Sequence, residues 1–230
     1  LPTGEIIWTG ANVLKNATGY NLTQLVVGSE GTLGIVTKIV LRLIPHPKFD
    51  LLMLVPFRSL EQAGEAVSAI FRAGFTPSAM ELIEINALRI VSRMVESSAV
   101  PVTEDTQAHL IIEVDGNDMD VLMKEMEAIG ELLTQYDTGE IYFADDAQQK
   151  TELWKLRRRV AEAVKSDGYT IEEDTVVPRA ELPALIKGVK ALGKEHNFKA
   201  VCYGHAGDGN LHGRIKKEGI PNSYGNDEMN

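Results

Sequence analysis

The sequence predicts an α+β chain built around an antiparallel sheet, with a short glycine-rich segment ahead of it. Three observations predict this. From residue 51 to 143, apolar strand patterns and helical stripes follow in the β-α-β-β-α-β order of a ferredoxin-like sheet. Pro45-His46-Pro47 continues neither a strand nor a helix and marks a boundary. Before it lies Gly28-Ser29-Glu30-Gly31-Thr32-Leu33-Gly34, too rich in glycine for a regular element.

In chain order, residues 5–8 alternate weakly and suit a short strand. Residues 21–27 suit a short helix capped by Asn21. After the glycine loop, Ile35, Thr37, Ile39, Leu41 and Leu43 share one face of a half-buried strand. Past the boundary, Leu51–Phe57 is a buried strand, stopped at Pro56. Residues 59–73 form a helix capped by Ser59, with Ala63, Ala66, Val67, Ile70 and Phe71 as its stripe and Gly74 closing it. Strands follow at 79–85, 109–114 and 139–143. Helices follow at 86–96, with Leu88, Val91 and Val95, and at 118–135, with Leu122, Met126, Ile129 and Leu133.

A third block continues with a helix at 146–167, a strand at 169–177 and a helix at 180–196. Strands at 198–204 and 211–216 flank Gly207-Asp208-Gly209-Asn210, a hairpin-type turn. The division expected is residues 1–47 and residues 48–230.

Composition narrows the function. Hydrophobic content of 44% with 24% charged residues is that of a globular protein with a core. A net charge of −10 and the lack of a basic face argue against nucleic acid. No run of eighteen apolar residues is present, so no transmembrane segment is expected, and the start does not read as a signal peptide. The single cysteine, Cys202, permits no internal disulfide, which suits a reducing, cytoplasmic setting, in solution or peripheral to a membrane. The chain opens on Leu1-Pro2-Thr3-Gly4 rather than Met and closes on the polar stretch 221–230, so both ends read as cut.

Three segments carry candidate chemistry. In the glycine loop, backbone N–H groups can approach a phosphate or a flavin edge; a plain tight loop is the competing reading. It is neither a Walker loop nor a GxGxxG turn. In Tyr203-Gly204-His205-Ala206-Gly207-Asp208-Gly209-Asn210-Leu211-His212, a tight turn can bring two imidazoles together as metal ligands, or merely join two strands. In Trp154-Lys155-Leu156-Arg157, Arg157 suits a carboxylate, whereas Arg158 and Arg159 read as solvated charges. Glu172-Glu173-Asp174 reads as a charged strand edge.

Taken together, these segments resemble a family. TGYNLTQLVVGSEGTLGIVTKIVLRLIPHP resembles the closing part of the FAD-binding domain in the vanillyl-alcohol oxidase and p-cresol methylhydroxylase (PCMH) superfamily. YGHAGDGNLH resembles the metal-binding hairpin of its D-lactate dehydrogenase, D-2-hydroxyglutarate dehydrogenase and glycolate oxidase flavoprotein branch. LWKLRR and EEDTVVPR resemble the stretch between. The fold implied is the C-terminal part of a PCMH-type FAD-binding domain followed by a ferredoxin-like substrate, or cap, domain.

The resemblance implies roles. Lys15, Thr18, Gly19, Tyr20, Gly28, Ser29, Glu30, Gly31, Thr32, Gly34, Ile35 and Val36 would line FAD. His205 and His212 would ligate a divalent metal, zinc or manganese. Arg157 would hold the carboxylate of a small D-2-hydroxy acid, oxidised to a 2-oxo acid by hydride transfer to flavin. The electron acceptor would be a quinone, an electron-transfer flavoprotein or an iron–sulfur subunit, and a homodimer is compatible with the family.

A pyrophosphate loop upstream, and a Glu-His-Gly segment downstream carrying a third metal ligand and the catalytic base, are not in this sequence; alone, the chain is expected to be inactive and to hold FAD weakly. Ala161 and Glu172 stand where the hydroxyglutarate-specific members have Thr and Lys, and Gly213-Arg214 where they have an Asn. Those departures, with no second cation expected for a distal carboxylate, favour lactate or glycolate. Rival readings are a non-redox flavoenzyme of the alkyl-glycerone-phosphate synthase type and an inactive metal-binding module.

Overall fold

The computed structural model describes residues 1–94, 102–144, 146–168 and 171–217. The predicted polar tail and Val95 lie outside the described residues. The chain divides into two compact units, Leu1–His46 and Pro47–Asn230.

The first unit holds one helix, α1 (Leu22–Val26), whose N-cap Asn21 accepts from the Gln24 amide. The strands expected at 5–8 and 35–43 are absent. A strand exists only when its N–H and C=O groups pair with a neighbour, and neither segment has such a ladder among the described residues. Their apolar side chains stand exposed, Ile35 at 84%, Ile39 at 72% and Leu43 at 86%. Such a surface is suited to being covered.

The second unit contains β1 (Phe49–Phe57), α2 (Leu60–Arg72), β2 (Ala79–Glu84), α3 (Ile85–Met94), β3 (Ala108–Gly116), α4 (Met119–Leu133), β4 (Tyr142–Phe143), α5 (Ala147–Ser166), β5 (Ile171–Val176), α6 (Leu182–His196), β6 (Phe198–Gly204) and β7 (Asn210–Lys217). One sheet runs β4-β1-β3-β2-β6-β7-β5. Its first four strands have the ferredoxin-like order, with antiparallel neighbours throughout. The third block adds three more strands to the edge at β2.

Alternation along each strand divides the core in two. Met53, Val55, Phe57, Met80, Leu82, Leu110 and Ile112 face α2, α4 and α6. Leu52, Leu54, Ile83, Ile111 and Tyr203 face α3 and α5. The stripe predicted for α2 is correct: Ala63, Ala66, Val67 and Ile70 are fully buried, and Val67 and Ile70 are each worth about 1.5–3 kcal/mol. Ser59, Asp118 and Asp146 cap α2, α4 and α5 with side-chain oxygens on the amides of their first turns.

Pro56 does not end its strand. It sits inside β1 opposite His109, and its carbonyl accepts from Gly139 N. In an antiparallel ladder a residue's N–H points the same way as its C=O, so the donor Pro56 lacks is on the side of β4. There the ladder breaks: Thr138 makes an isolated bridge to Phe57, and the strand expected over 139–143 shrinks to Tyr142–Phe143.

Candidate active site

Register and alternation gather charged side chains on the α3/α5 face of the sheet. Leu82 pairs with Gly204 and Ile83 with Tyr203, which sets Glu81 of β2 beside His205 at the end of β6. Tyr203 pairs with His212 of β7; Asp174 of β5 pairs with His212, and Glu172 with Arg214. Glu81, Tyr203, His212, Arg214, Glu172 and Asp174 therefore occupy one band across four strands.

Helix α5 closes over that band. Its buried positions, Leu153, Leu156, Arg157, Val160, Ala163 and Val164, recur at helical spacing. Arg157 is the one charged residue in the stripe, whereas Arg158 and Arg159 are exposed, as expected from sequence. Arg157 Nε donates to Glu81 Oε2 at 2.6 Å, and the two side chains are only 10% and 8% exposed. The Arg157 guanidinium carbon lies 6.0 Å from the centre of the Tyr203 ring.

Glu81 uses its second oxygen as well: Oε1 is 2.6 Å from His205 Nδ1. A carboxylate only accepts, so Nδ1 carries the proton and Nε2 is the free nitrogen. The His205 side chain is 55% exposed and that of His212 22%, so the pair sits at a solvent-facing margin. Their ring centres are 6.2 Å apart, edge to face. The turn does bring the two imidazoles together.

His212 Nδ1 is buried without a hydrogen-bond partner; Asp174 Oδ1 and Glu172 Oε1 are 3.5 and 3.7 Å away. Glu172 lies on the charged edge strand that the sequence predicts, and its side chain is engaged there. Its Oε2 is 2.5 Å from Arg214 Nη2, and Arg214 Nε donates to the Tyr203 hydroxyl at 3.3 Å. Arg214 is thus a second buried cation on this band, contrary to the expectation that none is offered, but Glu172 already binds it.

The turn is held firmly. A Cβ on Gly204 would lie 2.7 Å from Asn210 O, and one on Gly209, at φ +81°, would meet the Val177 carbonyl oxygen. Arg179, stacked 3.8 Å over Phe71, donates to Gly207 O at 2.6 Å. Asn210 Nδ2 ties the start of β7 to Asp174 at 2.6 Å.

The donors suit a borderline divalent ion: two neutral imidazoles, one backed by a carboxylate. Their number does not make a closed site. Among the described residues no group of three or more His, Cys, Asp or Glu side chains is arranged to hold a metal.

The flavin-side residues lie in the first unit. Gly28, Glu30 and Gly31 have positive φ; the Ser29 amide donates back to Val26 O at the end of α1 at 3.1 Å, and the Thr32 amide to Ser29 O within the loop at 2.9 Å. Gly34, Ile35 and Val36 line a cavity of about 380 Å³ within that unit. Lys15, Thr18, Gly19 and Tyr20 are exposed. A larger cleft, about 830 Å³, lies between α3, α6 and β6 and is lined by none of the catalytic candidates.

Sequence reasoning missed Glu81, and gave no role to Tyr203 and Arg179 although both lie in segments it singled out. Glu81 left a signal: an acidic residue inside the otherwise apolar Ala79-Met80-Glu81-Leu82-Ile83 run needs a buried partner.

No helix among the described residues is long and apolar enough to cross a membrane. Residues 46–219 match the profile of FAD linked oxidases, C-terminal domain. The D-lactate dehydrogenase of Anaerostipes hadrus is 34% identical over 216 residues, 92% of this chain and 46% of that protein. The glycolate oxidase subunit GlcD of Bacillus subtilis is 32% identical over 213 residues, 92% and 44%. The chain thus spans under half the length of these relatives. Among solved structures, an alkyldihydroxyacetonephosphate synthase shares the fold at a TM-score of 0.60, with 17% identity over 90% of this chain and 44% of that one. With the profile covering most of its length, the chain belongs to the FAD linked oxidases and carries their C-terminal domain.

Proposed function

We propose that the full-length protein oxidises a short D-2-hydroxy acid, of the lactate or glycolate type, to its 2-oxo acid. The observation that carries this reading is the meeting of Arg157, His205 and His212 around Glu81 and Tyr203 on one face of the sheet. It is supported by similarity to the D-lactate dehydrogenase and GlcD.

In this reading, FAD would supply the hydride acceptor when bound, a divalent ion would supply Lewis acidity at the substrate oxygens, and the base that the family resemblance implies would take the hydroxyl proton. Arg157 holds the substrate carboxylate. Glu81 takes its Nε, leaving the two terminal nitrogens as donors, each charged hydrogen bond worth about 1.5–3 kcal/mol. His205, whose Nδ1 is taken by Glu81, and His212 would hold the ion. Tyr203 stacks beside His212, ring centres 5.5 Å apart, and keeps water from one side of it. Glu172 neutralises Arg214, which disfavours a second substrate carboxylate there. The electrons pass on to a quinone, an electron-transfer flavoprotein or an iron–sulfur subunit. The paired imidazoles suit a metal-chelated hydroxy acid and so argue against the rival synthase reading, whose substrate is a phosphate ester.

The test is anaerobic reduction of the flavin in the full-length protein. D-lactate or glycolate should bleach it, and D-2-hydroxyglutarate should do so far more slowly. No bleaching by any D-2-hydroxy acid would sink the proposal, and a strong preference for the dicarboxylate would sink its substrate assignment.

A further inference from the structure

We infer that Glu81 is a positioning residue whose single carboxylate sets both the ring tautomer of His205 and the aim of Arg157. The inference rests on the reading that His205 ligates a metal and Arg157 binds substrate.

The observation is the division of labour between two oxygens. Oε2 accepts from Arg157 Nε and Oε1 from His205 Nδ1, both at 2.6 Å. Glu81 is 6% exposed, on a strand whose neighbours Met80, Leu82 and Ile83 are apolar and buried. A buried charge persists there only because both oxygens are served. The Leu82–Gly204 pairing fixes the distance to His205, and the α5 stripe fixes Arg157, so neither partner reaches Glu81 by chance of rotamer alone. With Nδ1 bound to an acceptor, the His205 lone pair is on Nε2, where a metal needs it. The same contact fixes the plane of the guanidinium, so its terminal nitrogens present one fork direction to a substrate carboxylate.

Replacing Glu81 by Gln separates this role from simple packing. Gln has the same shape but one acceptor oxygen. Turned toward Arg157, that oxygen leaves the amide NH2 facing His205 Nδ1, which must then accept. The proton moves to Nε2 and blocks the metal nitrogen. Removing Arg157 as well frees the one oxygen for His205.

The experiment uses the full-length protein, stripped of metal and labelled with 15N histidine. Long-range 1H–15N spectra read the His205 tautomer, and competition against a chromophoric chelator reads zinc affinity. Glu81→Gln should show Nε2–H on His205 and bind zinc about 10–100-fold more weakly. Glu81→Gln/Arg157→Met should return both towards wild type. His205→Ala run alongside tests the underlying reading: unchanged zinc affinity in that variant removes the metal, and the tautomer alone then decides the role of Glu81. Nδ1–H retained in Glu81→Gln overturns the inference whatever the zinc affinity. If the single variant fails to fold, Glu81→Leu/Arg157→Met, which offers His205 no acceptor, decides: zinc binding about 10–100-fold weaker than in Glu81→Gln/Arg157→Met supports the role, and equal affinity in the two double variants overturns it.

Discussion

Arg157 Nε stands 2.6 Å from Glu81 Oε2, a charged pair between α5 and β2 that is almost sealed from water. Such pairs add little net stability when whole but cost a great deal when halved. Arg157→Met should therefore leave Glu81 uncompensated and destabilise the protein by about 3–5 kcal/mol, read from the urea midpoint. Arg157→Met/Glu81→Gln should recover most of that loss. A single variant as stable as wild type would mean the pair is solvated in solution.

Arg157→Lys tests the other side of the same group. Lysine keeps the charge but offers a point donor rather than a planar fork. Losing one charged hydrogen bond to a substrate carboxylate, about 1.5–3 kcal/mol, should raise KM at least about tenfold. Unchanged KM and kcat would take Arg157 out of the substrate site.

Gly209 is a sharper structural test. Its φ of +81° and the Val177 carbonyl that a Cβ would strike leave no room for a side chain. Gly209→Ala should cost at least about 2 kcal/mol and lower the melting temperature. Because Arg179 pins the adjacent Gly207, Arg179→Ala should loosen the same turn with a smaller loss. A silent Gly209→Ala would show that this backbone relaxes freely.

These contacts show where the sequence could be read and where it could not. The stripe of α2 follows from a period of 3.6, and the buried strands β1 and β3 from short continuous apolar runs, both local properties. So does the buried place of Arg157 between Leu153 and Val160. The pairing of β2 with β6 joins residues over a hundred positions apart, and no local period encodes it. Glu81 stands out locally as an acid in an apolar run, but its partners lie 76 and 124 residues away and no local pattern names them. The strands expected at 5–8 and 35–43 failed for the converse reason: their alternation is real, but a ladder requires a partner strand. Pro56 misled because a proline ends a strand only where its missing N–H is needed.

Cys202 gives a prediction in pH. Burial chiefly, with the Glu84 carboxylate adding and Lys190 opposing, pushes its thiol up to about 11. The folded protein thus favours the neutral thiol, while the unfolded chain ionises from its ordinary value of 9.0. Stability from this group is complete below that ordinary value and is lost as pH rises through about 11. At pH 8 the native thiol should resist iodoacetamide and react quickly once urea unfolds the chain. Rapid native alkylation at pH 8 would contradict its burial.

The last prediction concerns the metal in the full-length protein. His205 and His212 face each other at 6.2 Å between ring centres, and neutral imidazole is a ligand for zinc and manganese alike. Chelation should therefore abolish turnover without releasing flavin, because the flavin-side residues belong to the other unit of the chain. Added zinc or manganese should restore it. His205→Ala and His212→Ala should each lose the bound ion and the activity while keeping the yellow colour. His212 carries an unpaired, buried Nδ1 with Asp174 Oδ1 3.5 Å away. An ion drawing on Nε2 would polarise the ring and strengthen any Nδ1–H contact to that carboxylate. Asp174→Asn should thus weaken zinc binding less than either histidine variant, yet measurably. Full metal content and normal turnover in both histidine variants would make the turn a purely structural hairpin.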